Sequence, residues 1–235
     1  MCRMIMAQGE FSVAEVMNAA RAMSCGETAQ HDGPIKKHPN GWGCLWLNNG
    51  KVCTRHGTGK FADALPTIDI GSIRTRFLAV HVRHATLSKN MGIQFSHPLL
   101  RKNGATQWYM MHNGFLPTIY RHLSMKASNF DSAEYLEYIV GHITPSDLSH
   151  RYLLDKMAQV APGGSSGNAF FITHEKAWAW QWYPDDTLFP HYFTMHRYQK
   201  NKTTYISSEM IKALGAESEW KKINNHELYG INITE

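Results

Sequence analysis

Residues 77–116 read FLAVHVRHATLSKNMGIQFSHPLLRKNGATQWYMMHNGFL. Two runs in this stretch are strand-like, Phe77–Arg83 and Gln107–His112, and each ends in a cluster of polar groups. The first run delivers Arg83, His84 and Thr86; the second delivers His112, Asn113 and Gly114. A polar, glycine-containing loop between them carries Ser96, His97 and Pro98. Side chains that do chemistry are often held at strand ends and in loops fixed by a rigid sheet, so this segment is where a reaction centre is expected.

The pattern outward from it is mostly strands. Towards the N-terminus, Cys2–Ala7 is a short strand-like run, followed by Ser12-Val13-Ala14-Glu15, a capping box in which serine and glutamate satisfy each other's backbone donors. Val13, Val16, Met17 and Ala20 share one helical face, and Gly26 stops the helix. Residues 41–47 and 52–55 form strands joined by the hairpin dipeptide Asn49-Gly50. Beyond the central stretch, Asp131-Ser132-Ala133-Glu134 repeats the capping pattern with the aspartate first, and Thr144-Pro145 predicts a further helix running to about Val160. Strand patterns follow at 169–173, 177–183, 189–197 and 203–207, then a short helix at 209–214 and a last strand. Strands in runs with helices in blocks predict an α+β fold with antiparallel sheets, over one domain spanning residues 1–235.

Composition narrows the function classes. An apolar fraction of 43% is ordinary for a globular chain, and no apolar run reaches membrane-spanning length. The start lacks the basic region and apolar core of a leader, so the expected location is cytoplasmic, with no membrane partner. The net charge of +5 is scattered over the chain, and no basic stripe marks a nucleic-acid partner. Four cysteines without paired ligand spacing form neither a disulfide framework nor a zinc ribbon. His81 and His84 lie three apart on a strand and face opposite sides, so no metal or other cofactor is expected.

Each candidate residue has a structural and a chemical reading. Cys2 fits an apolar first strand, but removal of Met1 would leave it with a free α-amine. The unperturbed pKa of such an amine is about 7.7–8.0, so nucleophile and base would share one residue. Arg83 is either a strand-end ion pair or a fork for a substrate carboxylate. Asn113-Gly114 is either a turn or a pair of donors for an oxyanion. Asp131 is either a helix cap or a partner for a substrate ammonium. Trp178, Trp180 and Trp182 alternate on one strand face and read as core.

Taken together, Met1-Cys2, Gly41-Trp42-Gly43, His81-Val82-Arg83-His84-Ala85-Thr86, Ser96-His97-Pro98, His112-Asn113-Gly114, Asp131-Ser132-Ala133-Glu134 and Ile206-Ser207-Ser208-Glu209 resemble, in order, the class II glutamine amidotransferase domain of the N-terminal nucleophile hydrolases. The resemblance implies a four-layer αββα sandwich with two antiparallel sheets face to face. It implies Cys2 as nucleophile with its α-amine as base, and Asn113 with the Gly114 amide as oxyanion hole. Arg83 would bind the α-carboxylate of a glutamyl group, with support from Thr86 and His97, and Asp131 its α-ammonium. Arg3 stands where synthase-fused members place glycine, which makes the chain more like the small stand-alone members.

Three functions then stand side by side. The first is a glutaminase releasing ammonia, with a separate ammonia-accepting synthase subunit as its partner. The second is a hydrolase of a γ-glutamyl peptide or conjugate. The third is a catalytically silent domain that binds γ-glutamyl ligands. In all three the partner is a small molecule, glutamine or a γ-glutamyl compound.

Overall fold

The computed structural model describes residues 1–234. In chain order the elements are β1 (Cys2–Gln8), α1 (Val13–Cys25), β2 (Trp42–Asn48), β3 (Lys51–Gly57), α2 (Phe61–Ala64), β4 (Phe77–Arg83), β5 (Leu99–Asn103), β6 (Thr106–Phe115), α3 (Asp131–Val140), α4 (His150–Met157), β7 (Ser166–Ile172), β8 (Lys176–Trp180), α5 (Pro190–Phe193), β9 (His196–Lys200), β10 (Thr203–Ser207), β11 (Lys221–Lys222) and β12 (Leu228–Asn232). They build two sheets, a seven-stranded one in the order β11-β9-β10-β1-β4-β2-β3 and a five-stranded one in the order β12-β8-β7-β6-β5. Every strand pairing is antiparallel.

The alternation of side chains across each strand creates three apolar layers. Met4, Met6, Phe77 and Ala79 of the large sheet meet Tyr109, Met111, Phe170 and Ile172 of the small sheet in the middle. The opposite faces of β1 and β4, through Ile5, Ala7, Leu78 and Val80, pack under Val16, Met17, Ala20 and Met23 of α1. On the far side, Trp108, Trp178 and Trp180 pack under Leu136, Ile139 and Val140 of α3 and Leu153 and Met157 of α4. The result is the expected αββα order; Trp178 and Trp180 are core, and Trp182, beyond the end of β8, is partly buried against it. α1 follows its sequence signals closely: Ser12 Oγ accepts from the Glu15 N–H, and Gly26 ends the helix at φ 79°.

Several local expectations are corrected. α4 begins at His150 under a Ser149 cap, because Asp147 turns back to accept from the N–H and hydroxyl of Thr144 and closes that segment as a turn. The cap of α3 is Phe130, one residue earlier than expected; Glu134 accepts from the Asn129 and Phe130 N–H groups, which leaves Asp131 free of capping duty. Residues 209–214 form a turn in place of a helix, since the Ser208 N–H extends the sheet by donating to the Met4 carbonyl and Glu209 is drawn into an ion pair. Pro190 starts the helical turn α5 where a strand is expected, so β9 begins only at His196. The loop after Pro98 contains β5, a hairpin partner of β6 turned by Gly104 at φ 57°. Asn113-Gly114 is not a turn: β6 runs on through it to Phe115, pairing Asn113 with Asn168 and Gly114 with Gly167.

Candidate active site

The layer between the sheets changes character at one end. Along β1, β4 and β6 the inward positions Met4, Met6, Phe77, Ala79, Tyr109 and Met111 are apolar. One step further along the same faces come Cys2, His81, Arg83 and Asn113, all buried. Strand register sets their relative places: Cys2 lies opposite Arg83, and Met4 opposite His81, in the β1–β4 ladder. Burying polar groups costs free energy unless their hydrogen bonds are made, so their partners are informative.

Asn113 is fully buried, and its Oδ1 accepts from the Cys2 backbone N–H at 2.9 Å. That contact fixes the amide orientation, because the N–H of Cys2 can only donate. Asn113 Nδ2 is consequently turned away from Cys2 N, buried and without a partner. Gly114 follows at the cleft wall, where a Cβ would lie 1.8 Å from the Ser166 carbonyl oxygen and 2.6 Å from His112 Nε2, so no larger residue fits. Arg83 is 4% exposed and makes no ion pair among the described residues, and its Nη1 is buried without a partner. A strand-end ion pair is thereby excluded for it among those residues.

Cys2, Arg83, Thr86, His97, Gly114 and Asp131 border one narrow cleft, with Asn113 behind Cys2. Asp131 Oδ2 accepts from the Leu116 N–H at 2.9 Å, and its other oxygen takes no hydrogen bond among the described residues. His97 is buried beside the His81 ring, centroids 4.3 Å apart, with both ring nitrogens unpartnered. Burial, aided by the neighbouring His81, His112 and Arg83, holds its pKa well below the usual histidine value, so it is neutral. Thr86 lies at the exposed rim, where its hydroxyl accepts from the Met1 ammonium at 3.0 Å. Burial raises the pKa of the Cys2 thiol, but His81, the terminal ammonium and Arg83 outweigh it and bring it down to about 6.

Three groups take places that the sequence does not assign them. Met1 itself borders the cleft, its ammonium donating to the His84 carbonyl at 2.9 Å as well as to Thr86. His81 is considered in sequence only as a metal ligand. Arg3 is the third, and its signal is plain in retrospect: one arginine in the apolar run CRMIMA. Facing away from the cleft and fully buried, it pairs with Glu209 at 2.5 Å, stacks over Tyr192 at 3.9 Å and donates to the carbonyls of Cys2 and Tyr192. Burial pushes the Glu209 carboxyl up, but hydrogen bonds from His31 and Thr28 and the Arg3 charge outweigh it and keep it ionised. Replacing Arg3 by methionine strands that carboxylate, and the expected cost is about 3–5 kcal/mol in a denaturant unfolding experiment. A loss below about 1 kcal/mol would show that Glu209 does not depend on Arg3.

A family model described as glutamine amidotransferases, class II, matches residues 11–179. A search of curated proteins finds no match. Among solved structures, the chain is similar to the glutamine phosphoribosylpyrophosphate amidotransferase from B. subtilis, at 14% identity and a TM-score of 0.68, over 98% of this chain and 47% of that one. It is similar as well to a structure titled the allosteric regulatory enzyme of purine biosynthesis, at 16% identity and a TM-score of 0.72, over 98% and 47%. A glutamine aminotransferase class-II domain protein from Silicibacter pomeroyi matches at 13% identity and a TM-score of 0.61, over 98% and 94%. The chain thus spans about half the length of the first two, and at such identities the likeness concerns the fold. The family match covers well over half of the chain and takes in β4, the following loop and β6, the segments that carry most of the cleft. On that match the chain belongs to the class II glutamine amidotransferases.

Proposed function

We propose that the chain hydrolyses the γ-amide of glutamine, with Cys2 as nucleophile and a γ-glutamyl thioester as intermediate. The family supports glutamine amide hydrolysis in general; the assignment to residues is ours. The observation that carries it is a pair of buried donors, Asn113 Nδ2 and Arg83 Nη1, left unpaired around a buried thiol. Native proteins rarely leave such groups unsatisfied, and a substrate carrying both an oxyanion and a carboxylate would satisfy them.

In this reading Arg83 grips the α-carboxylate, with His97 and Thr86 beside it, and the free oxygen of Asp131 receives the α-ammonium. The γ-carbonyl then lies at Cys2. The thiolate attacks its carbon, the carbonyl electrons move to oxygen, and Asn113 Nδ2 with the Gly114 N–H stabilise the charge. Collapse expels ammonia, which takes up the proton released by the thiol, and water hydrolyses the thioester to glutamate. With Met1 in place the nitrogen of Cys2 is an amide and cannot act as base. Its removal would free the α-amine, still next to Asn113 Oδ1, and vacate Thr86 and the His84 carbonyl.

A second reading, hydrolysis of a γ-glutamyl peptide or conjugate, is favoured by Leu87, Phe115 and Phe130 in the cleft lining, which ammonia does not need. Protein whose intact mass shows loss of Met1, given glutamine and a γ-glutamyl amide with ammonia and glutamate both assayed, separates the two. Equal inertness toward both would favour a silent binding domain. Arg83→Lys keeps the charge but loses the planar fork, so KM should rise about tenfold or more with kcat little changed. Unaltered KM would remove Arg83 from the glutamate site.

A further inference from the structure

We propose that His81 is a proton acceptor for the Cys2 thiol, so that the nucleophile can be ionised by a side chain as well as by an α-amine. The proposal rests on the reading of Cys2 as nucleophile. His81 and Cys2 stand diagonally on adjacent strands and on one face, since Cys2 pairs with Arg83 and Met4 with His81. Diagonal neighbours on a sheet face are within reach of long or aromatic side chains. The His81 ring is fully buried, and its Nε2 lies 3.1 Å from the His112 carbonyl oxygen. A carbonyl only accepts, so Nε2 carries the hydrogen and Nδ1 carries the lone pair. That Nδ1 is buried and makes no hydrogen bond in the resting geometry. A basic nitrogen with its tautomer fixed and no structural partner is what a base paired with a thiol requires.

The surroundings are consistent with this role. The other groups around the thiol are the Met1 ammonium, Arg83 of β4, His97 from the loop before β5, His112 of β6 and Asp131 of α3. Arg83 is a donor only, and the Met1 amine, though burial lowers its pKa, is turned to the His84 carbonyl and Thr86 hydroxyl. His97 has a pKa held too low by burial to compete. His112 Nδ1 and Nε2 are engaged by Ser132 Oγ at 2.9 Å and the Ser166 carbonyl at 3.1 Å. Of the groups that draw the thiol's pKa down, His81 acts most strongly, as the imidazolium formed on taking its proton would.

The step balances within the pair. The S–H bond breaks, its electrons stay on sulfur, and the proton joins Nδ1 to give an imidazolium held by its Nε2–H on His112. When the tetrahedral intermediate collapses, the Nδ1 proton passes to the departing amine and the neutral ring is restored. No co-reactant is needed.

The decisive material is protein that retains Met1, made with methionine aminopeptidase inhibited and verified by intact mass, because there Cys2 has no α-amine at all. Its Cys2 alkylation by iodoacetamide, followed by peptide mass mapping across pH 5 to 10, should rise through an inflection near 6. His81→Gln, which can still donate to the His112 carbonyl, should slow alkylation at pH 7 about tenfold or more by returning the thiol toward its ordinary range. An inflection in the ordinary range of about 8–9 in the parent protein overturns the proposal. So does an unchanged profile in His81→Gln. A readout without any change at His81 is the imidazole nitrogen NMR signal, which should differ at pH 7 between the parent and Cys2→Ala because only the parent has a thiol proton to pass to Nδ1. A signal identical in the two overturns the proposal, whether or not the His81 variant folds. Turnover of Cys2→Ala bears on the nucleophile separately, so failure of His81 as base and failure of Cys2 as nucleophile give different results.

Discussion

Cys2→Ala should lower ammonia release from glutamine by roughly 10⁴-fold or more while leaving the molecule folded. The size of the effect follows from the absence of a substitute: alanine can form no thioester, and the stretch that supplies the donors, residues 77–116, contains no cysteine. Folding is expected to survive because only one sulfur is lost from a side chain at the end of the inter-sheet layer, at a cost of about 1 kcal/mol. Cys44 provides the internal control. It is also buried, but on the other face of the large sheet, among the apolar groups under α1. Burial there pushes its thiol up to about 12, whereas the cleft brings Cys2 to about 6. Alkylation at pH 7 should therefore label Cys2 and spare Cys44, and Cys44→Ala should retain turnover. In the proposed mechanism the thiolate attacks, so activity should rise with pH as the Cys2 thiol ionises, as far as the thiol alone controls it. Undiminished ammonia release from Cys2→Ala would refute the nucleophile outright.

The parts of the molecule legible in sequence are those decided locally. The Ser12 cap, the Gly26 stop and the Asn49-Gly50 hairpin each depend on a few neighbouring residues and stand where their patterns place them, though Glu15 does not return the bond that a full capping box would make. The strand-like run Phe77–Arg83 stands as β4, ending at Arg83 as its pattern places it. Expectations failed where a distant partner captured a group that local rules assign elsewhere. Asp131 is released from capping because Glu134 takes the N–H groups of Asn129 and Phe130, and Leu116 then donates to it from the end of β6. Glu209 is held by Arg3 across 206 positions of sequence, which no helical pattern around residue 209 can reveal. Asn113-Gly114 has the composition of a turn, yet pairing with β7 keeps it extended. The same long-range pairing is what places an asparagine amide behind Cys2, 111 positions away, so the site could be named from motifs but not its geometry.

That geometry gives the second large effect. Asn113→Ala should reduce kcat about 10²- to 10³-fold with KM little changed, the loss typical of one oxyanion donor. In the proposed mechanism the donor acts on charge that exists only in the transition state, so removing it should leave the proposed ground-state binding by Arg83 and Asp131 intact. Alanine, however, also deletes the Oδ1 that receives the Cys2 N–H, and a displaced nucleophile would lower kcat as well. Asn113→Asp separates the two causes. It preserves an acceptor for the Cys2 nitrogen in nearly the same shape, but replaces the Nδ2 donor with an oxygen that repels developing negative charge. If Nδ2 is the oxyanion donor, Asn113→Asp should be at least as slow as Asn113→Ala while Cys2 remains open to alkylation at pH 7. If the asparagine serves only to position Cys2, the aspartate variant should recover most of the rate. Recovery of that kind would transfer the oxyanion role to the Gly114 N–H alone and leave Asn113 as a support for the nucleophile.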